Sequence, residues 1–101
     1  MTLKTSPFDP AEYLDDDASI ADFIEAAMED SNPAELAAAL GIVARARGMA
    51  QIAKDTGLSR ESLYKSLSAD GNPNLDTLLR VMKALRLKLS VAPANASEAA
   101  E

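Results

Sequence analysis

Apolar residues recur every three or four positions in several stretches of the chain, a spacing that predicts amphipathic helices. In the first such stretch, residues 19–30, Ser19 is a suitable N-cap and Asp22 stands three residues later in a capping-box-like position. Its apolar face consists of Ile20, Phe23, Ile24, Ala27 and Met28. The opposite face is acidic, so we expect this helix to bury one side and to expose carboxylates on the other.

A second helix is predicted from Pro33 to Arg47. Asn32 is its N-cap, Pro33 takes the first helical position and Glu35 completes the capping box. Gly48 is expected to end the helix. Because its many small residues allow neighbouring helices to approach closely, we interpret this helix as the central one of the bundle.

Residues 49–67 have the pattern of a helix-turn-helix, in which two short helices meet at a sharp turn. Ala53 is small enough for the helices to cross closely, and Gly57 can adopt the left-handed conformation that ends the first helix. Leu58 fills the angle between the helices, and Ser59 is a good N-cap for the second one. An ordinary helix corner in a protein that does not bind DNA can use the same pattern, so both interpretations stay open here.

The spacing in this motif divides its residues into an inner and an outer set. The residues predicted to point inward are Ile52, Leu58, Leu63 and Leu67. The residues predicted to stay outside are Gln51, Arg60, Glu61, Ser62, Tyr64 and Lys65. Side chains of the outer set can hydrogen-bond to base edges and phosphates of DNA.

Turn-forming residues fill positions 68–74, and Asn74 is the N-cap expected for a last helix over residues 75–85. This helix is expected to pack its apolar residues, which recur at helical spacing, against the core: Leu75, Leu78, Leu79, Met82 and Leu85. Arg80 and Lys83 are expected to face solvent.

The period then changes, because Leu87, Leu89 and Val91 alternate with polar residues as in a strand. A single strand leaves its backbone groups unpaired. Residues 87–93 therefore predict antiparallel pairing with the same strand of a second copy, which would make the protein a homodimer. Residues 94–101 are a polar, alanine-rich tail that we expect to be disordered.

Charge is unevenly distributed along the 101 residues, whose net charge is −6. Residues 1–40 hold ten acids and one base, whereas residues 41–101 hold nine bases and six acids. A basic surface attracts the phosphates of DNA, and an acidic segment suits a basic protein. The two halves of the chain are therefore expected to address different partners.

The chain contains neither cysteine nor histidine, which removes thiol nucleophiles, the usual zinc ligands and the commonest general base near neutral pH. We therefore expect no enzyme activity, cofactor, bound metal or small-molecule substrate; an enzyme would have to rely on scattered carboxylates and lysines. The run Asp15–Asp17 is interpreted as a solvated acidic turn, since it lacks the glycine and glutamate of a calcium loop. With no apolar run of about 20 residues and no apolar N-terminal segment, a cytoplasmic location is expected.

Residues 1–18 form an acidic arm that contains three of the larger apolar residues, Phe8, Tyr13 and Leu14. Side chains of this size are not expected to remain in water. They either fold back on the helices of their own chain or contact another protein, and the sequence leaves both possibilities open.

Taken together, these segments resemble the addiction-module antidote proteins, which are HigA-like antitoxins within the Cro/CI-type (XRE) helix-turn-helix group. The resemblance covers about residues 7–92. Its motifs are Phe-Asp-Pro-Ala-Glu-Tyr-Leu at 8–14, Ala-Arg-Gly-Met-Ala-Gln-Ile-Ala at 46–53, Thr-Gly-Leu-Ser-Arg-Glu-Ser-Leu-Tyr-Lys at 56–65 and Gly-Asn-Pro-Asn-Leu at 71–75. It implies a protein that neutralises a basic toxin of the RelE/ParE superfamily and represses its own operon as a homodimer on palindromic operator DNA.

The resemblance also implies roles for individual residues. Gln51 would contact a phosphate, while Asn72 and Asn74 would approach the DNA backbone. Base edges would be approached by Ser59, Arg60, Glu61 and Ser62, with Tyr64 and Lys65 at the flank of the helix. For the toxin contact it implies only a region, the arm and the first helix, represented by Phe8, Tyr13, Leu14 and Phe23.

The predicted architecture is an all-α, five-helix, lambda-repressor-like domain over residues 19–86, with the arm before it and the dimerising strand after it. Two rival functions remain at this stage. A stand-alone phage-type or metabolic repressor would bind DNA without a toxin, and its gene would stand alone. The antitoxin predicts a small basic reading frame beside its own.

Overall fold

The computed structural model describes residues 16–94, which form five α-helices and no strand. The helices are Asp17–Met28 (α1), Pro33–Arg47 (α2), Met49–Thr56 (α3), Arg60–Ser66 (α4) and Leu75–Ala84 (α5). The prediction of an all-helical protein with five helices is therefore confirmed.

Three predicted N-caps stabilise the helix starts at α2, α4 and α5. The side-chain oxygens of Asn32, Ser59 and Asn74 accept hydrogen bonds of 2.9, 3.0 and 2.8 Å from backbone amides in the first turns of their helices. Each bond satisfies one of the amide groups that has no partner inside the helix. The boundaries of these helices follow from local chemistry.

The start of α1 differs from the prediction, because Asp16 and not Ser19 is the N-cap. The Asp16 carboxylate accepts a 2.7 Å hydrogen bond from the backbone amide of Ser19. This bond, together with the Ser19 hydroxyl, holds the pKa of Asp16 below its ordinary value of 3.8. The earlier start makes Asp17 helical, and its carboxylate pairs with Arg47 at 2.8 Å and with Arg86 at 3.1 Å.

The predicted central position of α2 agrees with the packing, since this helix contacts α1, α3 and α4, while α5 packs on α3. The largest fully buried side chains are Ile20, Leu40, Ile52, Leu63, Leu67, Leu85, Val43 and Val81. Gly41 lies where α2 meets the end of α4, and a side chain at this position would overlap the carbonyl oxygen of Leu67. The close contact between these helices therefore requires a glycine.

The buried face of α5 is only partly the predicted one. Leu78, Met82 and Leu85 contribute to the core, but Leu75 and Leu79 are 65% and 45% exposed. The buried face also includes Val81. Residues 78, 81, 82 and 85 have the same helical spacing as the predicted residues 75, 78, 79 and 82. The buried stripe of α5 is therefore shifted by three residues towards the C-terminus.

The strand predicted at 87–93 is not formed in the single chain, where residues 87–94 have no regular secondary structure. Arg86 has a φ of 63°, and the amide of Leu87 donates a 2.8 Å bond to the carbonyl of Met82, as in a Schellman-type helix end. The Leu87 side chain is half-buried against the core. A strand needs a partner strand for its backbone groups, and the described chain offers none.

No single helix among residues 16–94 is long and apolar enough to cross a membrane. Only α2 and α3 taken together meet both requirements, and the chain bends by 105° between them.

Candidate nucleic-acid interface

The turn between α3 and α4 consists of Gly57, Leu58 and Ser59. Gly57 has φ 79° and ψ 11°, the left-handed conformation, and its amide donates a 2.9 Å bond to the carbonyl of Ala53. Leu58 packs half-buried against the core, between the two helices. This geometry agrees with the turn that the sequence predicts, and it fixes the direction in which α4 leaves α3.

Two residues that sequence reasoning missed hold this turn in place. The buried hydroxyl of Thr56 donates a 2.8 Å bond to the carbonyl of Ile52 and accepts a 3.2 Å bond from the amide of Leu58. The guanidinium of Arg80 donates a 2.9 Å bond to the carbonyl of Thr56. Arg80 was expected only to face solvent, but it links α5 to the last turn of α3, and it also pairs with Asp76 at 3.0 Å.

The outer surface of α4 is polar and accessible. Leu63 is fully buried and anchors the helix, together with Leu67 just after it. All polar residues proposed for base contact are exposed: Ser59, Arg60, Glu61, Ser62 and Lys65. Tyr64 is 48% exposed. An α-helix that presents such a surface has the dimensions to enter the major groove of B-DNA.

The other three proposed DNA-contacting residues surround α4. Gln51 is exposed in the first turn of α3, and its amide nitrogen donates a 2.9 Å bond to the carboxylate of Asp55. Asn72 is exposed in the loop between α4 and α5. Asn74 is exposed as well, but its side-chain oxygen is engaged as the N-cap of α5, which leaves its amide group for an external contact.

Several exposed cations lie in or just before the helix-turn-helix, together with the exposed carboxylates of Asp55 and Glu61. Arg45, Lys54, Arg60 and Lys65 are exposed. Arg47, which immediately precedes the helix-turn-helix with Arg45, is instead paired with Asp17. The surface therefore offers four exposed cations for phosphate contact.

The residues predicted for the toxin contact and for dimerisation differ in whether the structure describes them and in how exposed they are. Phe8, Tyr13 and Leu14 lie outside the described residues. Phe23 is half-buried in α1 and packs against the core, which limits its contact with a partner. Leu89 is 44% exposed and Val91 97% exposed, so both are accessible to a second chain.

The contacts of Asp17 could not be read from sequence spacing, because Arg47 and Arg86 stand 30 and 69 positions away along the chain. Thr56 gave a weak local signal, since a hydroxyl one residue before a left-handed glycine can bond to the turn backbone.

Comparison with known proteins gives two matches. A family model described as "Probable addiction module antidote protein" matches residues 4–93. A protein of Haemophilus influenzae (strain ATCC 51907 / DSM 11121 / KW20 / Rd), described as an uncharacterized protein, is 45% identical over 91 residues, which cover 90% of this chain and 94% of the relative. No solved structure matches the chain.

Proposed function

The chain belongs to the addiction module antidote family, and we propose that it is the HigA-like antitoxin of a type II toxin–antitoxin module. It neutralises a toxin of the RelE/ParE superfamily, of the HigB-like kind, in the cytoplasm. It also represses its own operon by binding palindromic operator DNA as a homodimer. It has no catalytic activity of its own. Membership of an antidote family supports the antitoxin role.

The DNA-binding part rests on one observation, the exposed polar surface of α4 after a left-handed glycine turn. In this proposal α4 is the recognition helix of an XRE-type, lambda-repressor-like helix-turn-helix. Ser59 to Ser62 approach base edges from its N-terminal end, with Tyr64 and Lys65 beside them. Gln51 and the two asparagines, Asn72 and Asn74, contact the DNA backbone, which sets the position of the helix in the groove.

Dimerisation supplies the two recognition helices that a palindromic operator needs. Leu87, Leu89 and Val91 lie in a segment without regular structure. The Leu87 amide is bonded to Met82, and beyond it the backbone of residues 88–93 has no hydrogen-bond partner among the described residues, so it can pair with a second copy. Pairing of residues 87–93 across a two-fold axis forms the strand that the single chain lacks. The two copies of α4 then enter successive major grooves about 34–36 Å apart.

The toxin-binding part involves the N-terminal arm and α1. Residues 1–40 carry most of the acidic side chains, and α1 contains no basic residue. An acidic surface of this kind favours association with a basic protein. Phe8, Tyr13 and Leu14 supply apolar contacts to the same partner.

Two measurements on the full chain test the proposal. In a binding titration, the product of the adjacent small basic gene should form a stable complex with the chain. In a gel-shift assay, the chain alone should bind its promoter DNA in preference to random DNA. Deletion of residues 1–15 should weaken the toxin complex and spare DNA binding, because it leaves α1 and its Asp16 cap intact.

The outcomes separate the antitoxin from its rival. Promoter binding without any toxin complex would indicate a stand-alone repressor. A toxin complex without sequence-specific DNA binding would indicate an antitoxin whose helix-turn-helix is only structural.

A further inference from the structure

A cleft of about 250 Å³ lies between α1 and the segment that follows α5. Ile24 and Met28 form its α1 side, Met82 forms its floor, and Leu87 and Leu89 form its other side. Met28 and Leu89 are 40% and 44% exposed, so the apolar lining reaches the surface. The volume is below the roughly 300–1,000 Å³ of small-molecule sites, so side chains of another protein suit it better than a metabolite.

One edge of this cleft is acidic. Glu25 lines the cleft directly, and Asp22 and Glu29 stand three residues before and four residues after it on α1. Residues at these spacings are neighbours on a helix surface. The three carboxylates, all exposed, therefore form a row along the α1 edge, which we call the acidic row.

The acidic row forms no ion pair among the described residues. Among residues 16–94, arginine or lysine pairs only with Asp17 and Asp76, and α1 has no basic residue of its own. Like charges at these spacings destabilise an isolated helix. A row without an ion pair among residues 16–94, lying beside an apolar cleft, is therefore complementary to a segment with basic residues on one side and apolar residues next to them.

We infer that the cleft is the docking site of the toxin, and that it receives a basic amphipathic segment of that protein. This inference rests on the proposed antitoxin function and assigns its protein contact to α1 and to the side chains of Leu87 and Leu89 that line the cleft, whereas the proposed dimer pairs the backbone of residues 87–93. Apolar side chains of the toxin enter between Met28 and Leu89, and its lysines or arginines face the acidic row. Lys88 on the opposite edge disfavours a partner whose cations lie on that side.

Two substitutions on α1 test this site without altering the helix-turn-helix or residues 87–93. Glu25→Lys reverses the charge in the middle of the acidic row, and Met28→Ser removes apolar surface from the cleft. Asp70→Lys makes the same charge change in the exposed loop after α4, and Leu79→Ser removes apolar surface of similar exposure, 45%, from α5. These two variants are the matched controls.

The measurement is calorimetric titration of each full-length variant with the toxin encoded by the adjacent gene. Glu25→Lys and Met28→Ser should each raise the Kd by about ten-fold or more, because the first places a like charge against the toxin's cations and the second removes an apolar contact from the cleft. Asp70→Lys and Leu79→Ser should stay within about two-fold of the unmodified chain, as expected for exposed residues outside an interface. Circular dichroism should be unchanged in all four variants, and promoter binding should be unchanged in Glu25→Lys, Met28→Ser and Leu79→Ser.

Three other results would contradict either the antitoxin function or the docking site, and they can be told apart. If the unmodified chain does not bind the toxin, the antitoxin function itself is wrong. If it binds and both α1 variants bind equally well, the function stands and the docking site is overturned; loss of binding on deletion of residues 1–15 would then assign the contact to the arm. If the α1 variants lower the molecular mass in sedimentation without toxin, the cleft belongs to the dimer and the inference is also overturned.

Discussion

Gly57 shows how far a single residue determines the candidate DNA-binding surface. Its left-handed conformation ends α3 and turns the chain so that Ser59 can cap α4 three residues before Ser62. The nearest atom to a side chain added at Gly57 would be a guanidinium nitrogen of Arg80 at 3.7 Å, an ordinary contact distance. Backbone conformation, and not lack of space, therefore makes glycine necessary at this position.

Gly57→Ala should destabilise the protein by about 1–2 kcal/mol, because a residue with a Cβ atom is strained in the left-handed region. For a domain of this size the melting temperature should fall by roughly 4–8 °C per kcal/mol. Gly57→Asn is the control, since asparagine tolerates this conformation better. Equal losses in the two variants would mean that contacts, and not the backbone angle, explain the glycine.

Arg60 opens the exposed face of α4, where a guanidinium can donate two hydrogen bonds to a guanine edge. Arg60→Ala should reduce operator affinity by about 1–3 kcal/mol and relax the preference at one base step. Gel-shift titrations on the operator, on single-base variants of it and on random DNA measure both effects. An equal loss on operator and random DNA would identify Arg60 as a phosphate contact.

At the scale of helices, the sequence predicted those features that depend on neighbouring residues. The caps Asn32, Ser59 and Asn74 act within three residues, so their positions could be predicted. The start of α1 also rests on a local cap, but Asp16 and Ser19 were both suitable N-caps, and the structure uses Asp16. The exposed face of α5 depended on which half of the helix meets the core, which local sequence does not specify.

The Asp16 cap makes the start of α1 sensitive to pH. Because the pKa of Asp16 is lowered in the folded state, its stabilising contribution is complete above the ordinary value of 3.8 and is lost as the pH falls through the lower folded pKa. Asp16→Asn keeps an oxygen that can accept from the Ser19 amide but cannot titrate. Urea unfolding should show the native chain more stable than this variant at pH 7, with the difference shrinking as the pH falls below 3.8. A difference that does not change with pH would show that the charge of Asp16 does not contribute.

Among residues 16–94, charge is unevenly distributed between the helices. The acidic row lies on α1, which has no basic residue, whereas the exposed cations Lys54, Arg60 and Lys65 lie on α3 and α4. The sequence indicated this division through the acidic first forty residues. It could not show that the acidic row borders an apolar cleft, because that cleft forms only when α1 and the chain after α5 come together. In the proposed function, DNA contacts the cations of α3 and α4 and the toxin contacts the acidic row, so the two partners use different charges.

This arrangement predicts which cations control the salt dependence of operator binding. If Arg45, Lys54 and Lys65 of both protomers contact phosphates, about six phosphates are neutralised and log K should fall against log salt with a slope of about −5. Lys65→Gln should make the slope less steep by about 2, because two contacts are lost per dimer. Lys88→Gln is the matched control, since Lys88 is equally cationic but lines the cleft beside α1. The slopes come from operator titrations at several salt concentrations. A reduced slope for Lys88→Gln with no change for Lys65→Gln would mean that DNA binds on the cleft side, and α4 would then not be the recognition helix.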